Sequence, residues 1–182
     1  MKKVLVLVLG ALALWVGLAA AANTDAFTIT VTVKWMDVTL KLSEAHGTDY
    51  TNWAVGAVDA GVMQTMPSSA IGHIWANNGS NIPINLQASV ASVAPGACGF
   101  GVPTAWTAAG AAGTDIYKLE VATGTATTPT GTWTTVLAAP TTYTASTVAI
   151  AGGQDFFYRL TPPTATTDGC QHTLTVTIYA IQ

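Results

Sequence analysis

Phe27-Thr28-Ile29-Thr30-Val31-Thr32-Val33-Lys34-Trp35-Met36-Asp37-Val38-Thr39-Leu40-Lys41-Leu42 is the stretch that decides the fold class. Apolar residues hold the odd positions from Phe27 to Trp35, with Thr28, Thr30, Thr32 and Lys34 between them. After Trp35 the phase flips, and Met36, Val38, Leu40 and Leu42 carry the apolar face on even positions. A period of two built from β-branched side chains means strand. A phase flip means a bulge, or a bend where the chain passes between sheets. Unbroken, the 16 residues would reach roughly 50 Å at ~3.3 Å each, far beyond the usual ~20 Å strand. Two strands therefore meet at Trp35-Met36, or the first half projects from its own domain.

Downstream, the same period recurs in short runs punctuated by turns. Ile82, Ile84, Leu86, Ala88 and Val90 alternate with polar or small residues, and so do Leu174, Val176, Ile178 and Ala180 with threonines. Asn77-Asn78-Gly79-Ser80 stands before the first of these runs. Asn and Gly tolerate positive φ, so it predicts a hairpin from Ile71–Ala76 into the returning strand. Pro83 removes a ladder donor and places the start of that strand at an edge or bulge. Tyr50–Val58, Val62–Met66, Ile116–Val121, Thr132–Leu137, Thr141–Thr144, Thr147–Ile150 and Gln154–Thr161 read as further strands. Pro95–Gly113, rich in Gly and Ala, reads as a long connection. No window after residue 22 shows a 3.6-residue period; Thr104–Ala112 comes nearest. Short strands with turns every 8–12 residues predict an all-β fold, an immunoglobulin-like or jelly-roll β-sandwich.

Upstream of the deciding stretch, Lys2 and Lys3 precede an apolar run from Val4 to Leu18, then Ala19-Ala20-Ala21-Ala22. That is the layout of a cleavable export signal, and the run is short for a bilayer span of ~20 residues. The expected organisation is a signal peptide over 1–22, removed after Ala22, and one sandwich domain over 23–182. A retained N-terminal anchor is the alternative. Contact with a membrane is then expected only in transit, and the mature protein is expected to be secreted, extracellular or on the cell surface.

Without Lys2 and Lys3, four basic residues (Lys34, Lys41, Lys118, Arg159) face nine acidic ones, a balance of 4 − 9 = −5. Nucleic-acid binding needs clustered Lys and Arg and is not expected. Charged residues make up 8% of the chain against the usual ~25%, while threonine occurs 30 times. Such a chain has little charge with which to block its sheet edges, so these are covered otherwise or are meant to associate. Two cysteines, Cys98 and Cys170, sit beside turn glycines. In an exported protein they predict one disulfide closing a loop of ~70 residues, worth ~4 kcal/mol in the chain-entropy model.

Chemistry-bearing patterns are sparse. His46, His73 and His172 are scattered and read as turn or surface residues. Asp49, Asp59, Asp115, Asp155 and Asp168 fall near predicted loops without the D-x-D-x-D spacing of a calcium loop. No G-x-S-x-G is present, Ser68-Ser69 has no basic partner nearby, and Glu44 and Glu120 are the only glutamates for a glycosidase pair. No catalytic residues, metal site or cofactor are expected, and the chain is not read as an enzyme. Trp106 and Trp133, both beside loops, would form a sugar-stacking platform if exposed together, although tryptophan in a sandwich more often fills the core. Asn78-Gly79-Ser80 is also an N-glycosylation sequon at Asn78.

Two segments resemble a family pattern. Ile74-Trp75-Ala76-Asn77-Asn78-Gly79-Ser80-Asn81-Ile82-Pro83-Ile84-Asn85-Leu86 resembles the strand, Asn-x-Gly, Pro, strand element of extracellular sandwich proteins, among them biofilm-fibre proteins related to TasA and camelysin. Phe157–Pro162 with Thr173–Ala180 looks like the closing strands of such domains. The resemblance covers about a third of the chain and transfers no metal or catalytic residue. It implies a structural subunit of an extracellular filament or surface layer. The expected mechanism is strand donation: residues 23–34 leave their own domain, Phe27, Ile29, Val31 and Val33 enter pockets of the next copy, and a head-to-tail homopolymer grows. The alternative from a different class is a monomeric secreted carbohydrate-binding or adhesin domain; a secreted hydrolase comes third.

Overall fold

The computed structural model describes residues 30–44, 46–67, 72–93, 95, 98–125, 127–143 and 147–182. The chain divides into two compact units, Met1–Val33 and Lys34–Gln182. The export-signal reading of 1–22, and Phe27 and Ile29 of the apolar stripe, lie outside the described residues.

Lys34–Gln182 is an all-β sandwich of two sheets. Its strands in chain order are β1 (Val38–Ser43), β2 (His46–Asp49), β3 (Gln64–Thr65), β4 (Ile74–Asn78), β5 (Asn85–Val93), β6 (Thr107–Ala108), β7 (Ile116–Thr125), β8 (Thr128–Pro129), β9 (Thr134–Val136), β10 (Thr141–Thr142), β11 (Gly153–Thr161) and β12 (Thr173–Ile181). The larger sheet runs β2-β1-β4-β11-β7-β6, with β3 on β11 and β8 and β9 on β7; the smaller runs β10-β5-β12. All pairings are antiparallel except the two-residue contact of β6 with β7. The described residues include no helix, and Thr104–Ala112 contributes only the strand β6.

The core follows the sequence alternation. Ile74 and Ala76 of β4, Phe156, Tyr158 and Leu160 of β11, and Tyr117, Leu119 and Val121 of β7 face Ile84, Leu86, Ala88 and Val90. Val38 and Leu40 pack against this cluster, as the phase after Trp35 requires. The outer face of the larger sheet carries a cluster of charge at Lys118, Glu120 and Arg159. Arg159 lies directly opposite Glu120 in the register and forks onto it at 2.7 and 3.0 Å. Lys118 adds a contact at 2.8 Å, and the Arg159 guanidinium sits 4.5 Å over the Trp133 ring. Arg159 and Lys118 hold the Glu120 carboxyl below its usual value, against the upward push of burial.

Four expectations need correction. The Asn77–Ser80 turn is not a hairpin: β4 pairs with β1 and β11, β5 with β10 and β12, so the turn carries the chain from one sheet to the other. The reason is Asn78, which is 1% exposed. Its Nδ2 donates to the carbonyls of Ile82, Val148 and Ala149, and its Oδ1 accepts from the Ser80 N–H. A glycan on that nitrogen would displace these bonds, so in the folded chain Asn78 is a buried corner post rather than a sugar acceptor. Tyr50–Val58 forms no strand; Tyr50, Trp53 and Val55 instead pack singly against the core. Thr30–Asp37 also lies outside any strand, with Trp35 N–H bonded to Asn81 Oδ1 and Asp37 N–H to Ser80 Oγ, so β1 begins only at Val38.

Candidate functional site: an open strand edge over an apolar groove

β12 reads Thr-Leu-Thr-Val-Thr-Ile-Tyr-Ala-Ile, with no charge, no proline and no glycine. It pairs along its full length with β5, and among the described residues no strand pairs with its other edge. The direction of its backbone groups follows from β5. Val90 N–H donates to Leu137 O, Leu86 O accepts from Tyr143 N–H, and Ile84 exchanges both bonds with Val148. The even residues of β5 therefore turn away from β12. Their partners there form non-hydrogen-bonded pairs, which turns the N–H and C=O of Leu174, Val176, Ile178 and Ala180 toward the open side.

The side chains of the same residues point inward but are only half-buried. Leu174, Val176 and Ile178 line a groove of about 1040 Å³ whose opposite wall includes Leu40, Met66, Ile74, Leu119 and Leu160 of the larger sheet or its margin. The irregular segment from Tyr50 to Val58 flanks it. Burial pushes the Tyr50 phenol up to about 12, so it stays neutral at ordinary pH. Asp168 and His172 are the only acid and base among the described residues lining the groove.

The entry to β12 is held firmly. The disulfide expected between Cys98 and Cys170 is present and ties the Pro95–Gly113 connection to the turn before the strand; it fits an oxidising compartment. Asp168 is 2% exposed; its Oδ2 accepts from Thr104 N–H at 2.9 Å, and its Oδ1 lies 2.9 Å from His172 Nε2. Burial pushes this carboxyl up, but Thr104, His172 and Cys170 together hold it below its usual value. Trp106 stacks on His172 at 3.8 Å. Cys98, Asp168 and Cys170 bring ligand-type atoms within 4.8 Å of one another, yet both sulfurs are spent in the disulfide, so no thiolate is there to coordinate.

The structure corrects the histidine reading. His172 is buried against Asp168, and His73 is buried 2.7 Å from Asp155 and stacks on Phe157. Burial raises the Asp155 carboxyl, and His73 only partly offsets this. The four-residue spacing of Asp168 and His172 was a signal in the sequence, whereas His73 and Asp155 meet only through the pairing of β4 with β11. Trp106 and Trp133 are not one platform: Trp106 packs against the core and His172, Trp133 lies under Arg159 on the outer face. Val31 and Val33 of the apolar stripe are 77% and 74% exposed.

No family model, no curated protein and no solved structure matches this chain.

Proposed function

We propose that this protein is a structural subunit of an extracellular filament or surface layer, exported by the signal at 1–22 and assembled by donation of residues 23–34 from one copy to the next. The observation that carries this reading is the bare stripe: Val31 and Val33 are 77% and 74% exposed in a stretch that forms no strand. β-Branched residues in strict alternation belong in a sheet with one face buried, and the described residues Thr30–Asp37 are exposed throughout. The low charge and abundant threonine, and the partial resemblance to TasA- and camelysin-like fibre proteins, support the same reading. A monomeric carbohydrate-binding domain is supported less, because its two candidate tryptophans are occupied in separate places.

The test is sedimentation velocity and negative-stain microscopy of the chain beginning at Asn23, beside Val31→Asp/Val33→Asp. Concentration-dependent polymers that the double variant abolishes are expected. A parent protein that stays monomeric at high concentration would remove the filament reading.

A further inference from the structure

We infer that the acceptor for the donated strand is the open edge of β12, with Phe27, Ile29, Val31 and Val33 of a second copy filling the groove beneath it. This rests on the filament reading above and names the surface that reading needs. Residues directly opposite one another in an antiparallel pair put their side chains on the same face. Leu174, Val176, Ile178 and Ala180 turn their backbone groups outward, and the side chains of the first three line the groove. A strand added there forms hydrogen-bonded pairs with these four, and the side chains of its own paired residues enter the groove. The donor supplies four apolar residues at the same two-residue spacing, Phe27 to Val33. Thr28, Thr30 and Thr32 then join Thr173, Thr175 and Thr177 on the solvent side, a threonine face continuous across the joint. A slip of one residue would drive threonines into the groove, so the register specifies itself.

The other edges among the described residues fit the donor less well. β2 spans four residues, with Asp49 paired to Lys41 at 2.5 Å, which is a charged and short edge. β10 has two residues, and the outer side of β7 is already occupied by β6, β9 and β8.

The test uses the chain from Asn23 with its native disulfide intact. A Thr30→Cys copy is mixed with a Thr175→Cys or Thr177→Cys copy under mild oxidation, and the products are mapped by non-reducing mass spectrometry. Thr48→Cys on β2 serves as the competing acceptor. Holding the two thiols side by side raises their effective concentration, so disulfide-linked pairs with β12 should exceed those with β2 by about tenfold or more. Polymers that form while the cross-links map to Thr48→Cys would overturn the acceptor and leave the filament reading standing. A chain that is monomeric at every concentration would overturn both. A bridge that closes within a single Thr30→Cys/Thr177→Cys chain would show the strand folding back on its own domain and would also overturn the acceptor.

Discussion

The larger sheet and the smaller sheet end differently. Along the outer side of β7, β6 pairs at Ile116–Tyr117, β9 at Leu119–Val121 and β8 at Gly124–Thr125, so three short pieces in succession satisfy one long strand. Along the outer side of β12 no strand pairs among the described residues, over nine residues or ~30 Å. Beside β7 the chain returns three times between Thr107 and Val136 to pair with the edge; beside β12 no described strand pairs, and β12 itself carries no charge. Natural sheets shield exposed edges with lysine, proline, bulges or brevity, and β12 uses none of these. The difference teaches that an open edge in this fold is not a general tolerance of loose ends, because the other long edge is closed with care.

The comparison breaks first at its core. Phe156 on β11 is fully buried with its ring 4.7 Å from Tyr143, edge to face, and Phe156→Ala should cost about 3–5 kcal/mol. Val176 on β12 is only half-buried, and Val176→Ala should cost about 1 kcal/mol in the dilute monomer, near the low end for removing buried methyl groups. Guanidinium unfolding of both variants measures the contrast. Equal losses would mean that β12 is packed as deeply as the larger sheet, and the open groove would then be no groove.

That contrast also marks what a reader of the sequence could see. Alternation located β5, β11 and β12 to within a few residues, because a strand with one buried face writes its period into the chain. The disulfide was legible from two cysteines beside turn glycines, given the expectation of export. The crossing at Asn77–Ser80 was not, since the same residues suit a hairpin and a passage between sheets; the carbonyls of Val148 and Ala149, far along the chain, decide it. Tyr50–Val58 misled because apolar residues there anchor singly to the core without a pairing partner. Of the candidate site, the donor stripe was visible and the acceptor was not. Which strand stands at an edge is a property of the pairing, and no residue in β12 announces it.

A smaller effect sharpens the difference in charge between the two sheets. Glu120→Gln should destabilise by about 1–2 kcal/mol at neutral pH, because the partly exposed Arg159 and Lys118 lose a charge-assisted acceptor that is itself buried. The pH dependence has a definite sign. The folded-state value of Glu120 is lowered, so its contribution is fully present above the ordinary 4.5 and disappears as pH falls through the lowered value. The gap between parent and variant should therefore close as the solution is acidified below about 4.5. Asp155, raised by burial, acts with the opposite sign in both proteins and cancels from the comparison. Chemical denaturation at pH 7 and pH 3 reads the gap; one that persists undiminished at pH 3 would mean that the Arg159 fork does not depend on Glu120 being ionised.

The smallest expected change in stability belongs to the variant that most directly questions the open edge. Thr175 and Thr177 are exposed on the outer face of β12, and surface substitutions of this kind stay within about ±0.5 kcal/mol. Thr175→Lys/Thr177→Lys should accordingly melt with the parent. The two ammonium groups would flank the line where a further strand must dock. That line carries no charge now, and a docked donor would bring Thr28, Thr30 and Thr32 alongside, none of which can accept an ion pair. Docking would then have to strip water from two unpaired cations, the same device by which natural edges refuse a neighbour. Sedimentation should show the polymer displaced toward monomer while far-UV circular dichroism and the melting temperature stay put. Assembly undiminished by the two lysines would place the joint between copies away from β12, and the bare edge would then need another explanation.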